Sequence, residues 1–277
     1  MQIYGAAIAL ACAAFWALSS ILWRKMGEEL SPYDMNLAKG LFGSLYLTLA
    51  LTYVGTTRLG VADFLSLALS GVFGIALGDS YYFMSLISLG PRLATLLGTL
   101  SPLLTAILAA IFLGERPAAT AWAGIIIAVG AVAWVMVDGL PAERESEGQR
   151  KKWPQGVRQG LFAVLCTGVG TILAKKAVAA APAIEVTLVR IACGLGALLL
   201  WGAAKGRMRG SFHALCQPRK LWRLGLIVLI VTFGGFWLSI VALQYADAWL
   251  VSLMLSTVPL LILPMTALAF GERLRFK

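Results

Sequence analysis

Two stretches of this chain share one pattern, and that pattern decides the fold. Residues 101–117 read SPLLTAILAAIFLGERP, and residues 258–276 read VPLLILPMTALAFGERLRF. In each stretch a proline, Pro102 or Pro259, precedes an apolar run that ends in Gly-Glu-Arg. The spacing from the proline to the glutamate is the same in both, so the stretches align at an offset of 157 residues. A match of this kind indicates an internal duplication.

Further equivalent positions support the duplication. At the offset of 157 residues Gly78 aligns with Gly235. Nearer the start of each half the offset is 151 residues, and there Lys25 aligns with Lys176, Lys39 with Arg190, and Gly43 with Gly194. A longer basic loop in the second half, residues 204–220, accounts for the difference between the two offsets.

Composition indicates a membrane protein. Of the 277 residues, 60% are apolar and 13% are charged, and the mean hydropathy is +0.84. A soluble domain would carry about 25% charged residues. A helix needs roughly 20 apolar residues to cross a bilayer core about 30 Å thick. Runs of this length recur along the chain, whereas the strands of a membrane barrel would be half as long, so we predict an all-α integral membrane protein in a lipid bilayer.

Nine apolar spans are predicted, and their number sets the topology. They cover residues 3–23, 35–55, 62–87, 92–113, 118–138, 157–178, 183–203, 222–245 and 247–270. The polar segment 139–156 is the predicted linker between a first repeat, 1–138, and a second repeat, 157–277. Because five spans precede the linker, the second repeat enters the membrane from the opposite side, which predicts two inverted five-helix repeats. The second repeat shows four spans, so we expect a missing tenth helix after Lys277.

The motifs resemble those of a known family. They are FWALSSILWRK in the first span, SPYDMNLAKGLFGSL in the second, GIALGDSYYFMSLISLGPRLATLLGTLSPLLTAILAAIFLGERP through the third and fourth, and WAGIIIAVGAVAW in the fifth. Together they look like an EamA-type member of the drug/metabolite transporter superfamily, over essentially the whole chain. The resemblance implies ten helices in two inverted halves around a central cavity, and export of small metabolites. The missing tenth helix departs from the family pattern.

The basic residues predict an orientation. Apart from Lys39 and Arg190 inside spans, four cations lie in loops on the side of the N-terminus, and they are Arg58, Arg116, Lys175 and Lys176. The other seventeen lysines and arginines lie on the opposite side. Loops rich in lysine and arginine stay in the cytoplasm, so the count predicts an N-terminus outside. The resemblance implies the reverse, with both termini cytoplasmic, and both orientations stay open.

Three charged side chains inside apolar spans are candidate substrate-binding residues, namely Asp79, Lys39 and Arg190. Each costs about 2.5 to 3.5 kcal/mol to insert unless it faces a cavity or a partner. Asp79 is predicted to contact a substrate amine or to carry a coupling proton, and the alternative is a structural pair with Lys39 or Arg190. The two cations hold equivalent positions and could bind a substrate carboxylate. Snorkelling to the headgroups is the alternative, which we favour for Lys39.

Aromatic residues in the interior of the spans complete the predicted substrate site. They are Trp16, Tyr81, Tyr82, Phe236 and Trp237. Their rings could stack on a planar or amphipathic substrate while their polar ends donate hydrogen bonds. Helix packing is the alternative for each of them.

The paired prolines predict a hinge. Pro102 and Pro259 lie inside spans, where proline cannot donate to the carbonyl four residues earlier, which for Pro102 belongs to Gly98. Interruptions at corresponding points of two repeats indicate the binding site or hinge of a transporter. We therefore predict a hinge at Gly98, Pro102 and Pro259, with a tolerated kink as the alternative.

Several other functions are disfavoured. The net charge of +10 comes from loop cations, as membrane topology requires, so we predict no nucleic-acid partner. The single histidine, His213, lies in a polar loop, and no P-loop pattern occurs. We therefore expect no enzyme activity, no metal and no cofactor. The four cysteines have no metal-binding spacing and are predicted to be reduced.

The sequence favours a secondary active transporter. We predict a multi-pass protein of the bacterial plasma (inner) membrane that exports or exchanges a small organic metabolite, such as an amino acid or a related amphipathic compound. Two inverted repeats would alternate access to one site. The alternative is a transport-inactive membrane scaffold or partner-binding subunit, which the missing tenth helix would explain.

Overall fold

The computed structural model describes residues 1–138 and 147–270, and within these ranges the chain forms helices and no strand. The first half contains α1 (Gln2–Met26), α2 (Pro32–Val54), α3 (Val61–Ser70), α4 (Ser80–Gly98), α5 (Ser101–Phe112) and α6 (Ala119–Asp138). The second contains α7 (Glu147–Ala177), α8 (Ala183–Ala204), α9 (Met208–Leu215), α10 (Pro218–Ile230), α11 (Leu238–Tyr245), α12 (Ala248–Leu255) and α13 (Val258–Phe270). Two π-helical segments, the first π-helix (Gly71–Asp79) and the second π-helix (Val231–Trp237), join α3 to α4 and α10 to α11.

Many of these helices are long and apolar enough to cross a bilayer. In the described part of the chain, six helical runs meet both criteria, and they are Gln2–Met26, Pro32–Val54, Val61–Gly98, Trp153–Ala177, Ala183–Ala204 and Lys220–Tyr245. Shorter apolar helices cover Ser101–Phe112 and Ala248–Ile262. Large apolar side chains such as Ile111, Leu200 and Trp222 are exposed on the outer surface, where lipid would cover them. The predicted all-α integral membrane fold is confirmed.

Local sequence signals set the helix ends. Ser31 caps α2 by accepting a hydrogen bond from the backbone N–H of Asp34 at 3.2 Å, and Pro32 begins the helix with a φ angle that suits its first turn. Gly55, just after α2, and Gly114, just after α5, have φ angles of 84° and 68°. Glycine adopts these positive φ angles without steric cost, so a glycine allows the chain to leave each helix at its end.

The third and eighth spans are not regular α-helices throughout. The first π-helix and the second π-helix lie at corresponding places in the two halves, because Gly78 and Gly235, the residues aligned by the duplication, each fall inside one. A π-helical turn is rare and often marks a functional position. Asp79 ends the first π-helix, and Phe236 lies in the second.

The fourth and ninth spans are both broken. The chain turns at Gly90 within α4, where φ is 83°, and the fourth span follows this turn. The fourth span is then broken where α4 ends at Gly98 and α5 begins at Ser101. In the second half α12 ends at Leu255, and α13 begins at Val258. Pro102 and Pro259 therefore occupy the second position of new helices, and not the interior of continuous ones as their sequence position suggested. Proline is well tolerated there, because a first-turn N–H has no helical acceptor.

The two halves pack against each other reciprocally, through corresponding helices. Helix α1 lies against α11 and the second π-helix, whereas α7, its counterpart, lies against α3, α4 and the first π-helix. Likewise α2 packs on α8, and α5 packs on α12. The first span of each half thus contacts the third span of the other half, and equivalent spans meet at the centre of the molecule.

In each half a basic side chain donates hydrogen bonds to carbonyls at the end of the third span of that half. Arg24 Nη1 donates to the carbonyls of Ile87 at 2.6 Å and Leu86 at 3.4 Å. At the equivalent position, Lys175 Nζ donates to the carbonyl of Leu243 at 2.6 Å and also to that of Ala246. A cation near a helix C-terminus satisfies free carbonyls and interacts favourably with the helix dipole. The duplication therefore preserves a specific contact.

Candidate functional site

A central cavity of about 230 Å³ lies where the two halves meet. From the first half it is lined by Trp16, Ser20, Gly74, Ile75, Asp79, Tyr82, Ala94, Thr95, Gly98 and Ser101. From the second half it is lined by Gly160, Ala163, Val164, Thr167, Thr171, Arg190, Phe236, Ser239, Leu243, Val251, Ser252, Leu255, Ser256 and Val258. The volume is below the usual range of ligand pockets, about 300 to 1,000 Å³, and suits a small molecule.

Most of the lining consists of equivalent positions of the two halves. At the offset of 151 residues Trp16 pairs with Thr167 and Ser20 with Thr171. At the offset of 157 residues Asp79 pairs with Phe236, Tyr82 with Ser239, Thr95 with Ser252, and Ser101 with Val258. The backbone framework of the cavity is therefore duplicated, but the side chains at paired positions differ, so its two walls are chemically unlike.

Asp79 lies at the cavity wall and forms an ion pair with Lys39 of α2. The Lys39 side chain is 1% exposed, and its Nζ also lies over the rings of Phe236 and Phe83, 4.9 Å and 5.6 Å from their centroids. The interpretation that Lys39 snorkels to the headgroups is therefore wrong, because the side chain turns inward to a carboxylate. A buried cation needs such a partner, since desolvation is costly.

Arg190 of α8 is buried and also lines the cavity. Its Nε donates to Ser70 Oγ at 2.8 Å, and that hydroxyl donates to the Gly170 carbonyl at 2.5 Å. Among the residues described, this is the hydrogen bond that Arg190 makes to protein, and its side chain lines the cavity. The structure therefore fixes the guanidinium at one nitrogen, and its other N–H donors make no hydrogen bond to the described residues.

Three of the five predicted aromatic residues line the cavity. Trp16 and Phe236 pack edge to face with ring centroids 5.0 Å apart. Tyr82 Oη lies 2.6 Å from Ser20 Oγ, so its polar end is already hydrogen-bonded. Tyr81 and Trp237 are not among the lining residues. Tyr81 packs on Phe162 and Trp237 on Phe233, at centroid distances of 4.5 Å and 6.3 Å.

Of the predicted hinge residues, Gly98 lines the cavity, whereas Pro102 and Pro259 do not. The break between α4 and α5 falls at Thr99, whose Oγ1 donates to the Leu96 carbonyl at 2.7 Å. At the equivalent break, Ser256 Oγ donates to the Leu253 carbonyl, also at 2.7 Å. Hydroxyl groups thus satisfy backbone carbonyls at both breaks, as a membrane interior requires.

Sequence reasoning missed most of the polar lining. The hydroxyl residues Ser20, Thr167, Thr171, Ser239 and Ser252 carry no charge and form no recognisable motif. The duplication was the available signal, because it places Thr167 opposite Trp16 and Ser239 opposite Tyr82. The two aromatic residues already assigned to the site could have pointed to their counterparts in the other half.

Glu115, in the loop after α5, caps a helix of the second half. Its Oε1 accepts from the N–H of Ala248 at 3.0 Å and its Oε2 from that of Trp249 at 3.4 Å, at the N-terminus of α12. The side chain is half-buried, and burial raises the pKa of its carboxyl above the usual value despite the two backbone hydrogen bonds. Its repeat counterpart, Glu272, lies outside the described residues.

Comparison with known proteins gives the family. The model of the EamA-like transporter family matches residues 3–137 and 155–277. The chain belongs to the EamA-like transporter family. The predicted family is thereby confirmed, and this EamA-like protein is a multi-pass membrane transporter of the drug/metabolite transporter superfamily.

A solved protein crystal structure shares the EamA-like fold. The TM-score is 0.70 at 14% sequence identity, and the match covers 99% of this chain and 91% of the other. At this identity the likeness extends to the fold alone. A search of curated proteins found no match.

Proposed function

We propose that this EamA-like protein is a secondary active transporter that exports or exchanges a small organic metabolite. One observation carries the proposal: a central cavity between the two duplicated halves is lined largely by their equivalent positions. If two inverted halves exchange their conformations, a site between them opens first to one side and then to the other. The proposal includes a bacterial plasma (inner) membrane as its location.

The moving units in this proposal are the two repeats, residues 1–138 and 157–277. The breaks between α4 and α5 and between α12 and α13 serve as hinges, at Gly98 and Pro102 in the first half and at Pro259 in the second. Their support is that both interruptions lie in register and that Gly98 and Ser256 border the cavity. A broken helix can bend at its turn without losing hydrogen bonds in either segment.

The proposed substrate is amphipathic, such as an amino acid or a related compound, and the lining supports this choice. Trp16, Tyr82 and Phe236 offer rings to an apolar body, while Ser239 and Ser252 offer hydroxyl groups to a polar end. A coupling proton is part of the proposal, with Asp79 as its carrier, because Asp79 is the carboxylate at the described cavity wall.

Transport by the purified protein tests the proposal. Liposomes that contain the purified protein are loaded with individual amino acids or amines. They are expected to exchange at least one radiolabelled compound faster than loaded liposomes without the protein do. An imposed pH gradient should accelerate that exchange in the wild type and should have no such effect in Asp79→Asn. If no compound of a broad metabolite panel moves above background, the transport proposal is wrong and the scaffold interpretation gains support.

A further inference from the structure

The charges around the cavity do not balance. Lys39 and Asp79 form an ion pair, whereas Arg190 forms no ion pair among the described residues. Two cations and one carboxylate therefore lie close together inside the membrane-spanning part of the protein. An uncompensated charge in such surroundings is costly, because an apolar protein interior solvates it poorly.

Arg190 is held so that it can bind an additional group. Its Nε donates to Ser70 Oγ, which is itself fixed by the Gly170 carbonyl. Nη2 lies beside Gly74, and even a Cβ at that position would stand at an ordinary contact distance of 3.5 Å from this nitrogen. The planar guanidinium presents several donors in a fixed arrangement that matches the two oxygens of a carboxylate.

Asp79 is not equally available to a substrate ammonium group. Lys39 Nζ already contacts its Oδ2, and Lys39 is enclosed between that carboxylate and the Phe236 and Phe83 rings. An ammonium group would have to displace a buried lysine or would add a third cation to the cluster. A carboxylate bound at Arg190 would instead neutralise the cluster.

We infer that the substrate of the proposed transporter is recognised through a carboxylate that binds Arg190, and that an ammonium group, where the substrate has one, is not the recognised charge. This inference rests on the proposed function and narrows its substrate class. The rings of Trp16, Tyr82 and Phe236 complete the site for an apolar, planar body. The expected substrate is a small carboxylate with such a body.

Four compounds that share one phenyl body test the inference. 3-Phenylpropanoate and phenylalanine carry the carboxylate, whereas phenylalaninamide and phenethylamine lack it. Binding to the purified wild-type protein is measured by calorimetry and by the shift in Tm. Both carboxylates are expected to bind, and both compounds without one are expected to bind more than about tenfold more weakly, as loss of a charged hydrogen bond predicts.

Two variants locate the selectivity. Arg190→Gln should weaken binding of 3-phenylpropanoate more than about tenfold and should remove the preference over phenethylamine. The matched control is Arg223→Gln, which makes the same substitution at an exposed position of α10 outside the cavity lining. Its preference for the carboxylate, measured as a ratio of two affinities, should persist.

Each outcome bears on the inference. Equal binding of phenethylamine and 3-phenylpropanoate by the wild type overturns it, as does an unchanged preference in Arg190→Gln. If Arg190→Gln does not fold, the wild-type series still decides. Transport of amines alone would uphold the proposed function and refute the carboxylate site. Binding of none of the four compounds also refutes the site, while the proposed function then depends on the wider transport panel.

Discussion

Glu115 links the two halves through a single side chain. Its carboxylate accepts backbone N–H groups of Ala248 and Trp249, so it satisfies donors that α12 cannot satisfy itself. Burial nevertheless raises the pKa of Glu115, which means that ionisation is less favourable in the folded protein than in the unfolded chain. Glu115 therefore stabilises the fold as an acceptor but at a cost when it is charged.

This balance predicts a pH-dependent effect of Glu115→Gln. A carboxyl whose folded pKa is raised binds a proton more tightly in the native state, so its contribution to stability falls as the pH rises through its titration range. The amide keeps an acceptor oxygen and cannot ionise. The Tm of Glu115→Gln minus that of the wild type should thus increase from about pH 4 to about pH 7.

Thermal unfolding in detergent at a series of pH values measures this difference. As a control, Glu115→Ala removes the acceptor altogether and should lower stability at every pH, by about 1 kcal/mol. A difference between Glu115→Gln and the wild type that does not vary with pH would refute the assigned cost of ionisation.

At the scale of the element, the broken fourth and ninth spans are the proposed hinges. Each break consists of a short turn followed by a helix with proline in its second position. Because proline has no N–H, the second helix cannot bond back across the turn at that residue. The chain thereby keeps two short segments where one continuous helix would be stiffer.

Replacing the prolines should slow exchange. In Pro102→Ala and Pro259→Ala a restored N–H can bond to the carbonyl of Gly98 or Leu255, which would join the segments and oppose bending. One hydrogen bond of about 1 kcal/mol corresponds to roughly fivefold slower exchange. The initial rate of tracer exchange in liposomes measures this effect.

Pro264→Ala is the matched control, because Pro264 lies inside α13, away from the break. Its exchange rate should remain that of the wild type. Unchanged rates in Pro102→Ala and Pro259→Ala, with folded protein, would show that the breaks are tolerated kinks and not hinges.

At the scale of the whole molecule, glycine allows a close approach of the two halves. A Cβ on Gly170 of α7 would lie 2.8 Å from Gly74 Cα and 2.9 Å from Gly74 N in the first π-helix. Backbone cannot yield as a flexible side chain can, so even a methyl group requires the halves to separate. Small residues of this kind allow close packing of membrane helices.

Gly170→Ala should therefore destabilise the fold. Overpacking typically costs about 1 to 3 kcal/mol, and the variant should unfold at a lower Tm than the wild type. Gly196→Ala on α8 is the control, because no atom lies within 4 Å of its added Cβ. Equal Tm values for the two variants would contradict the close packing of α7 on the first π-helix.

The sequence by itself determined the helical membrane fold, the duplication and the two spans that are interrupted. Apolar run lengths, glycine and proline carry these features directly, because each acts on the local backbone. The interior charges were also visible as candidates, since Asp79, Lys39 and Arg190 interrupt apolar spans. Which of them form a pair was not visible.

Only the tertiary structure decided the contacts. It pairs Asp79 with Lys39, leaves Arg190 at the cavity, and sends Glu115 to α12 in place of the adjacent helix. These outcomes depend on how each helix is rotated about its axis. In a membrane protein both lipid and the protein interior are apolar, so the spacing of apolar residues carries little information about that rotation, and packing between the halves fixes it.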